Sequence, residues 1–229
     1  MKTKRTLSVV AGFALFLLMG AARAQEREGE PGGGFDHAVP AVEHALEIGV
    51  GGGWLQGTGD IGKQMGTVQD LSGPGASAEL QLGYRIIPQL AFGAYGTYGQ
   101  FAKGAPMTPN TDVRSVSAGL FADWHFRPAR SVDPWIGLAT GWRGLWVVPP
   151  AGKNASLQGL ELARLQVGLD YRISREVAIA PVLSAGLSTF LTHDDATTNG
   201  FTNIGNPSVN AFFFAGLQAR FDVLGTPVK

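Results

Sequence analysis

Cysteine is absent from the 229 residues, which excludes disulfide staples, thiolate chemistry and cysteine-built metal sites, so stability has to come from elsewhere. A helical membrane span is missing too. The apolar run from Val9 to Met19 falls short of the ~20 residues that such a span needs, and no second run of that length follows. Nor is there an excess of positive charge, since 18 Lys and Arg stand against 18 Asp and Glu. Glycine, by contrast, is abundant at 33 residues, and the composition favours one all-β domain over two small ones.

The chain begins Met1-Lys2-Thr3-Lys4-Arg5, passes through the apolar run and reaches Ala22-Arg23-Ala24 before Gln25. A basic region, a short apolar region and a small-x-small site in that order predict a secretory signal peptide over 1–24, cleaved after Ala24. A membrane anchor is the alternative, which the short apolar run disfavours. Cleavage removes Lys2, Lys4, Arg5 and Arg23 and no acid, leaving 14 basic against 18 acidic residues. That balance argues against nucleic acid as a partner. Residues 25–44, with Pro31-Gly32-Gly33-Gly34 at their centre, have no sustained period and predict a flexible periplasmic leader.

The remainder alternates with period two, as strands do. In the last long segment, Val209 to Asp222, the residues Ala211, Phe213, Ala215, Leu217, Ala219 and Phe221 form an apolar row opposite Asn210, Gly216, Gln218, Arg220 and Asp222. Seven earlier runs read the same way: 46–55, 77–86, 90–99, 115–127, 136–146, 163–173 and 177–188. Each holds about 10 residues, enough to cross a hydrocarbon layer when tilted by ~45°. Pro181 in the seventh run lacks the N–H that a sheet interior uses, and a local bulge is the expected remedy.

Connections are long after the first, third, fifth and seventh runs and short after the second, fourth and sixth, as in transmembrane barrels whose termini are both periplasmic. If odd strands run outward, Trp54, Tyr98, Trp142 and Trp146 gather at the extracellular end. Tyr84, Phe92, Trp124, Phe126, Tyr171 and Phe221 then gather at the periplasmic end. Two aromatic girdles result.

The signal peptide, the alternating runs, segments such as Leu90-Ala91-Phe92-Gly93-Ala94-Tyr95 and Asp133-Pro134-Trp135-Ile136-Gly137, and the last strand ending on Phe221 resemble the small eight-stranded outer-membrane barrels of Gram-negative bacteria. These are typified by the transmembrane domain of outer-membrane protein A. The resemblance covers residues 45–222 and implies an antiparallel up-and-down transmembrane β-barrel in outer-membrane lipid, delivered by the barrel-assembly machinery through its last strand. Such barrels usually end on the aromatic residue itself, whereas a tail over 223–229 follows here. Oligomeric state is left open.

Glu47, Glu79, Asp123, Asp170 and Asp222 fall on the inward rows with Arg85, Arg127, Arg143, Arg164, Arg172 and Arg220. Buried charges must pair, so these rows predict a salt-bridge network filling the lumen, with His125 a member rather than an acid–base catalyst. A polar path for small solutes is the alternative use. No set of residues has the spacing of a metal, cofactor or catalytic site. His193-Asp194-Asp195 reads as solvated loop charge. Gly57-Thr58-Gly59-Asp60-Ile61-Gly62-Lys63 has the glycine and lysine spacing of a phosphate-binding loop, but Gln64 stands at the hydroxyl position and no amphipathic helix follows, so the mechanism is missing. The expected role is non-enzymatic: structural or surface interaction with a side-chain-filled lumen, or alternatively a narrow pore or transporter for small polar or apolar molecules.

Overall fold

The computed structural model describes residues 36–63, 65–194 and 200–227; the expected signal peptide and the first part of the leader lie outside them. In chain order the elements are β1 (Val42–Glu43), β2 (Ala45–Thr58), the one-turn helix α1 (Val68–Leu71), β3 (Ser72–Ile87), β4 (Leu90–Lys103), β5 (Asp112–His125), β6 (Val132–Val148), β7 (Ala155–Arg172), β8 (Val177–Asp194), β9 (Thr202–Asn203), β10 (Val209–Val223) and β11 (Thr226–Pro227). Strands β2 to β8 pair antiparallel in sequence order, β10 joins β8, and β10 closes the ring on β2 from Ala211↔Thr58 to Val223↔Leu46. Closure leaves no sheet edge, so every wall strand finds its backbone partners within the sheet, as lipid demands. No described helix is long and apolar enough to cross a membrane, and the crossing is made by strands.

Period-two sidedness explains why these residues form a wall. Leu120, Leu138 and Leu217 point outward and are 66%, 61% and 61% exposed, whereas Arg85, Asp123 and Glu161 point inward and are fully buried. A continuous apolar band on the outside of a charged interior is stable only against lipid.

The strands are longer than the ~10 residues that crossing needs. β3 has 16 residues, β6 17, and β7 and β8 18 each. The added length lies at the extracellular ends, where segments such as Ser156-Leu157-Gln158-Gly159 show no clean alternation yet pair with both neighbouring strands. The wall therefore stands beyond the level of Trp54 and Tyr98.

An irregularity on β7 sets which of its residues face inward. On β7 the register slips by one residue between Glu161 and Ala163 against β8, and at the matching place against β6. Leu162 is the extra residue of a β-bulge. Leu162 and Ala163 both face out, so Glu161 and Arg164 both face in. The Thr140 hydroxyl donates to the carbonyls of Glu161 (3.0 Å) and Leu162 (3.2 Å), covering the backbone acceptors at the slip. At Pro181 there is no bulge. The β7 ladder is interrupted between Val182↔Gly168 and Ile179↔Tyr171 and resumes unshifted, so the missing N–H costs a rung of the ladder and leaves the register intact.

At the periplasmic end, residues 36–44, which the composition assigns to the leader, are tied to the β5–β6 turn. The N–H of Val39 donates to the Ala129 carbonyl (3.2 Å) and that of Ala41 to the Pro128 carbonyl (2.7 Å). Val42 and Glu43 then pair with Pro227 and Thr226, giving the tail beyond Phe221 a partner. Backbone hydrogen bonds make these contacts, which is why the side-chain pattern gives no sign of them.

Deleting Leu162 removes the bulge and keeps Glu161 facing in, so the variant is expected to refold to the heat-modifiable form that migrates as a compact band. Deleting Val167 reverses the facing of every β7 residue before it and turns Arg164 to lipid, at about 2–4 kcal/mol for that charge near the midplane. The compact band is expected to be lost; equal refolding of both deletions contradicts the assignment.

Candidate functional site

The inward rows of the wall meet in three layers. Nearest the periplasm is a charge cluster centred on the seam where β10 meets β2. Glu47 and Asp222 are direct neighbours across this seam, an arrangement of like charges that needs cations between them. Arg85 supplies one, bonding Glu47 and lying 3.4 Å from Asp222. Arg172 reaches the other Asp222 oxygen at 3.5 Å, and Arg220 stands 3.6 Å from Glu47 and donates to Asp123 at 2.9 Å.

His125 lies at the centre of this cluster. Its Nε2 is 3.0 Å from Arg220 Nη1 and its Nδ1 is 2.8 Å from Asp133 Oδ2. A guanidinium can only donate, so Nε2 accepts and Nδ1 carries the hydrogen that Asp133 receives. The imidazole is neutral with both nitrogens engaged, a network histidine. His125, Asp133 and Asp170 bring potential ligand atoms within 4.8 Å of one another, but those of His125 and Asp133 already bond each other. Arg172 lies 3.5 Å from Asp133 and 3.9 Å from Asp170, supplying positive charge from the protein.

The middle layer holds a second cluster. Arg164 pairs with Glu79 at 2.6 Å and Arg143 with Glu161 at 3.0 Å, while the Tyr95 hydroxyl donates to the other Glu161 oxygen at 2.9 Å. Three guanidinium faces are covered by rings: Arg143 over Phe212 at 4.1 Å, Arg164 over Tyr95 at 4.0 Å and Arg220 over Trp135 at 4.0 Å. Each of these groups has a carboxylate at one edge and an aromatic ring over its face. Gly49 on β2 makes room for the glutamines between the clusters, since a Cβ there would stand 2.9 Å from Gln218 Nε2.

The outermost layer is apolar. Leu55, Phe101, Val113, Leu145, Val147, Leu157, Phe190 and Phe212 point inward and are buried together. Ile61 and Val68 from the β2–β3 loop and Ile204 from the β8–β10 loop complete the cluster. Sequence reasoning that equates inward with polar misses this plug. Its signal was the extracellular end of β6, Leu145-Trp146-Val147-Val148, where both parities are apolar. Two charged members of the lower layers escaped in the same way: Glu161 because the Leu162 bulge reverses its parity, and Asp133 because it reads as part of a turn.

Arg127, expected in the lumen, is not there. β5 ends at His125 and the chain turns at Pro128, which leaves Arg127 at the periplasmic rim, half-exposed and paired with Asp36 at 2.8 Å. Of the expected girdle residues, Tyr84 and Phe92 are register partners, while Trp142 and Trp146 meet in a tilted contact with ring centroids 5.9 Å apart. Trp54, Tyr98, Trp124, Phe126, Tyr171 and Phe221 are exposed on the outer face. Asp195 lies outside the described residues. The glycine-rich stretch ending at Lys63 is followed only by the single turn of α1. The Thr67 backbone N–H and hydroxyl both donate to Asp70 (2.8 Å each) and hold its carboxyl below the usual value for aspartate.

Replacing Arg220 with Met removes the cation bonded to Asp123 and the donor to His125 Nε2, and leaves Glu47 with Arg85 alone; it is expected to cost about 3–5 kcal/mol. Tyr95→Phe leaves one Glu161 oxygen unsatisfied and is expected to cost about 1–3 kcal/mol. Urea unfolding in lipid vesicles reads both; a smaller loss for Arg220→Met than for Tyr95→Phe contradicts this description of the network.

No protein-family model and no curated protein matches the chain. Among solved structures it is similar to Neisserial surface protein A, at 17% identity and a TM-score of 0.51 over 77% of this chain and 96% of that one. It is also similar to OprG of Pseudomonas aeruginosa, at 13% identity and a TM-score of 0.48 over 79% of this chain and 98% of that one. The N-terminal β-barrel domain of OprF from the same organism gives 12% identity and a TM-score of 0.46 over the same shares. Likeness at this level is one of fold. Together with the apolar outer band and the charged interior, it gives the chain the fold and membrane setting of an eight-stranded outer-membrane β-barrel.

Proposed function

We propose that this protein is a non-enzymatic outer-membrane barrel that acts through its extracellular surface, its lumen being closed to solutes. The observation that carries the reading is the continuity of filling. Two buried charge clusters and an apolar plug succeed one another along the axis, and the plug is completed by side chains from two extracellular loops. Eight-stranded barrels are just wide enough for side chains to fill, and these side chains are held by one another.

A transport reading would need a passage. The cavity bounded by Glu79, Arg143, Glu161, Arg164 and Phe212 has a volume of about 20 Å³, room for one water-sized molecule. Arg143 Nε and Nη1 and Arg164 Nε and Nη2 are buried there without hydrogen-bond partners among the described residues, so a polar guest of that size suits it. A solute of several heavy atoms does not fit unless the ion pairs separate. Assembly through the last strand belongs to the same reading: Phe221 faces lipid near the end of β10, and Thr226 and Pro227 beyond that strand pair with β1.

Planar-bilayer recording of the refolded protein tests the reading. Silent membranes, with at most brief small openings, are expected. A large steady conductance would overturn the closed lumen.

A further inference from the structure

The extracellular ends of the β2–β3 and β8–β10 loops are built as one unit. Ile61 and Ile204 anchor them side by side in the apolar plug, 1% and 5% exposed. The Ser208 N–H donates to the Ile61 carbonyl at 3.1 Å, Gly62 and Pro207 form an antiparallel bridge, and the Asn210 amide donates to the Asp60 carbonyl. Within the first loop, the Ile61 N–H donates to the Gly66 carbonyl at 3.1 Å and that of Val68 to the Gly59 carbonyl at 2.9 Å. Loops that serve only to join strands do not require buried apolar anchors and cross-loop hydrogen bonds, whereas a preformed recognition surface does.

Between them lies an open cleft of about 440 Å³ lined by Asp60, Gly62, Lys63, Gly66, Thr67, Asn206 and Ser208. That size is within the ~300–1,000 Å³ range of small-ligand sites. Among the described residues, the side chains of Asp60, Lys63 and Asn206 are exposed and make no hydrogen bond or ion pair. Among the described residues the lining includes no aromatic or aliphatic side chain, which argues against an apolar ligand. One carboxylate and one ammonium cancel, which argues against a strongly charged one. What remains is a mixed set of donors (Lys63, the Asn206 amide, the Ser208 hydroxyl) and acceptors (Asp60, the Asn206 carbonyl, the Ser208 hydroxyl) suited to groups that both donate and accept.

We infer that this cleft binds a neutral, polyhydroxylated ligand the size of one or two sugar rings, with Asp60 and Asn206 taking adjacent hydroxyls. The inference rests on the surface-interaction reading above and names its ligand class. It also gives the Gly57 to Lys63 stretch a use: its glycines let the loop fold tightly, Gly59 having a φ of +109°.

Saturation-transfer difference NMR on the full mature protein in lipid nanodiscs, with maltose, lactose, cellobiose and chitobiose as probes, tests the inference. At least one is expected to give a signal that falls tenfold or more in Asp60→Ala/Asn206→Ala. The compact band on gels should persist in that variant, showing an intact barrel. No signal from any of the four above that of the variant overturns the inference. So does binding confined to a sulfated disaccharide and abolished by Lys63→Met. Bilayer recording separates the two readings: silent membranes without sugar binding defeat the cleft alone, and steady conductance with sugar binding defeats the closed lumen alone.

Discussion

Glu47 on the first wall strand and Asp222 on the last stand opposite one another at the seam that closes the barrel, and Arg85 lies between them. Two carboxylates in that position repel, and removed from water they are costly to keep. The arginine makes the juxtaposition favourable only once both strands are in place, so the ion pair forms with closure. From there the polar network spreads: Arg172 and Arg220 bridge Asp222 and Glu47 to Asp133, Asp170 and Asp123, and His125 locks into the middle with both nitrogens occupied.

The interior then changes character along the axis. Charge fills the periplasmic and middle thirds, and apolar side chains fill the extracellular third. That division follows from what each level can reach. Side chains deep in a closed wall can be satisfied by facing residues on other strands, whereas at the mouth the loops are available, and Ile61, Val68 and Ile204 bring apolar surface down onto Leu55, Phe190 and Phe212. Gly57 permits this approach, since a Cβ there would stand 2.7 Å from both Phe212 and Val68. The plug thus couples the core to the surface: packing that stops the mouth also holds the two loops that form the cleft around Asp60 and Asn206.

Much of this was legible in the chain. Period-two alternation through 46–188 and 209–222 located all the wall strands, because a lipid-facing wall allows only one sidedness per strand. It located Arg85, Asp123 and Arg220 inside for the same reason. The method fails where sidedness is broken or irrelevant. Leu162 inserts one residue and reverses the facing of Glu161, a change that depends on Thr140 from the neighbouring strand. Arg127 continues the inward parity on paper, but the strand ends two residues earlier. The strap over residues 36–44 is held mainly by backbone hydrogen bonds that no residue pattern encodes, and the plug depends on loop residues placed by packing and by backbone hydrogen bonds across the loops.

Because the chain contains no cysteine, a single one can be introduced without background. Ala139 faces the middle of the lumen beside Tyr95 and Phe121, 6% exposed, and Ala139→Cys is a small change there. In the folded protein in vesicles, a water-soluble thiol reagent added to both sides is expected to leave this cysteine unmodified until the barrel is unfolded in urea. Rapid modification in the folded state, from either side, would contradict the claim that charge pairs and plug together close the barrel.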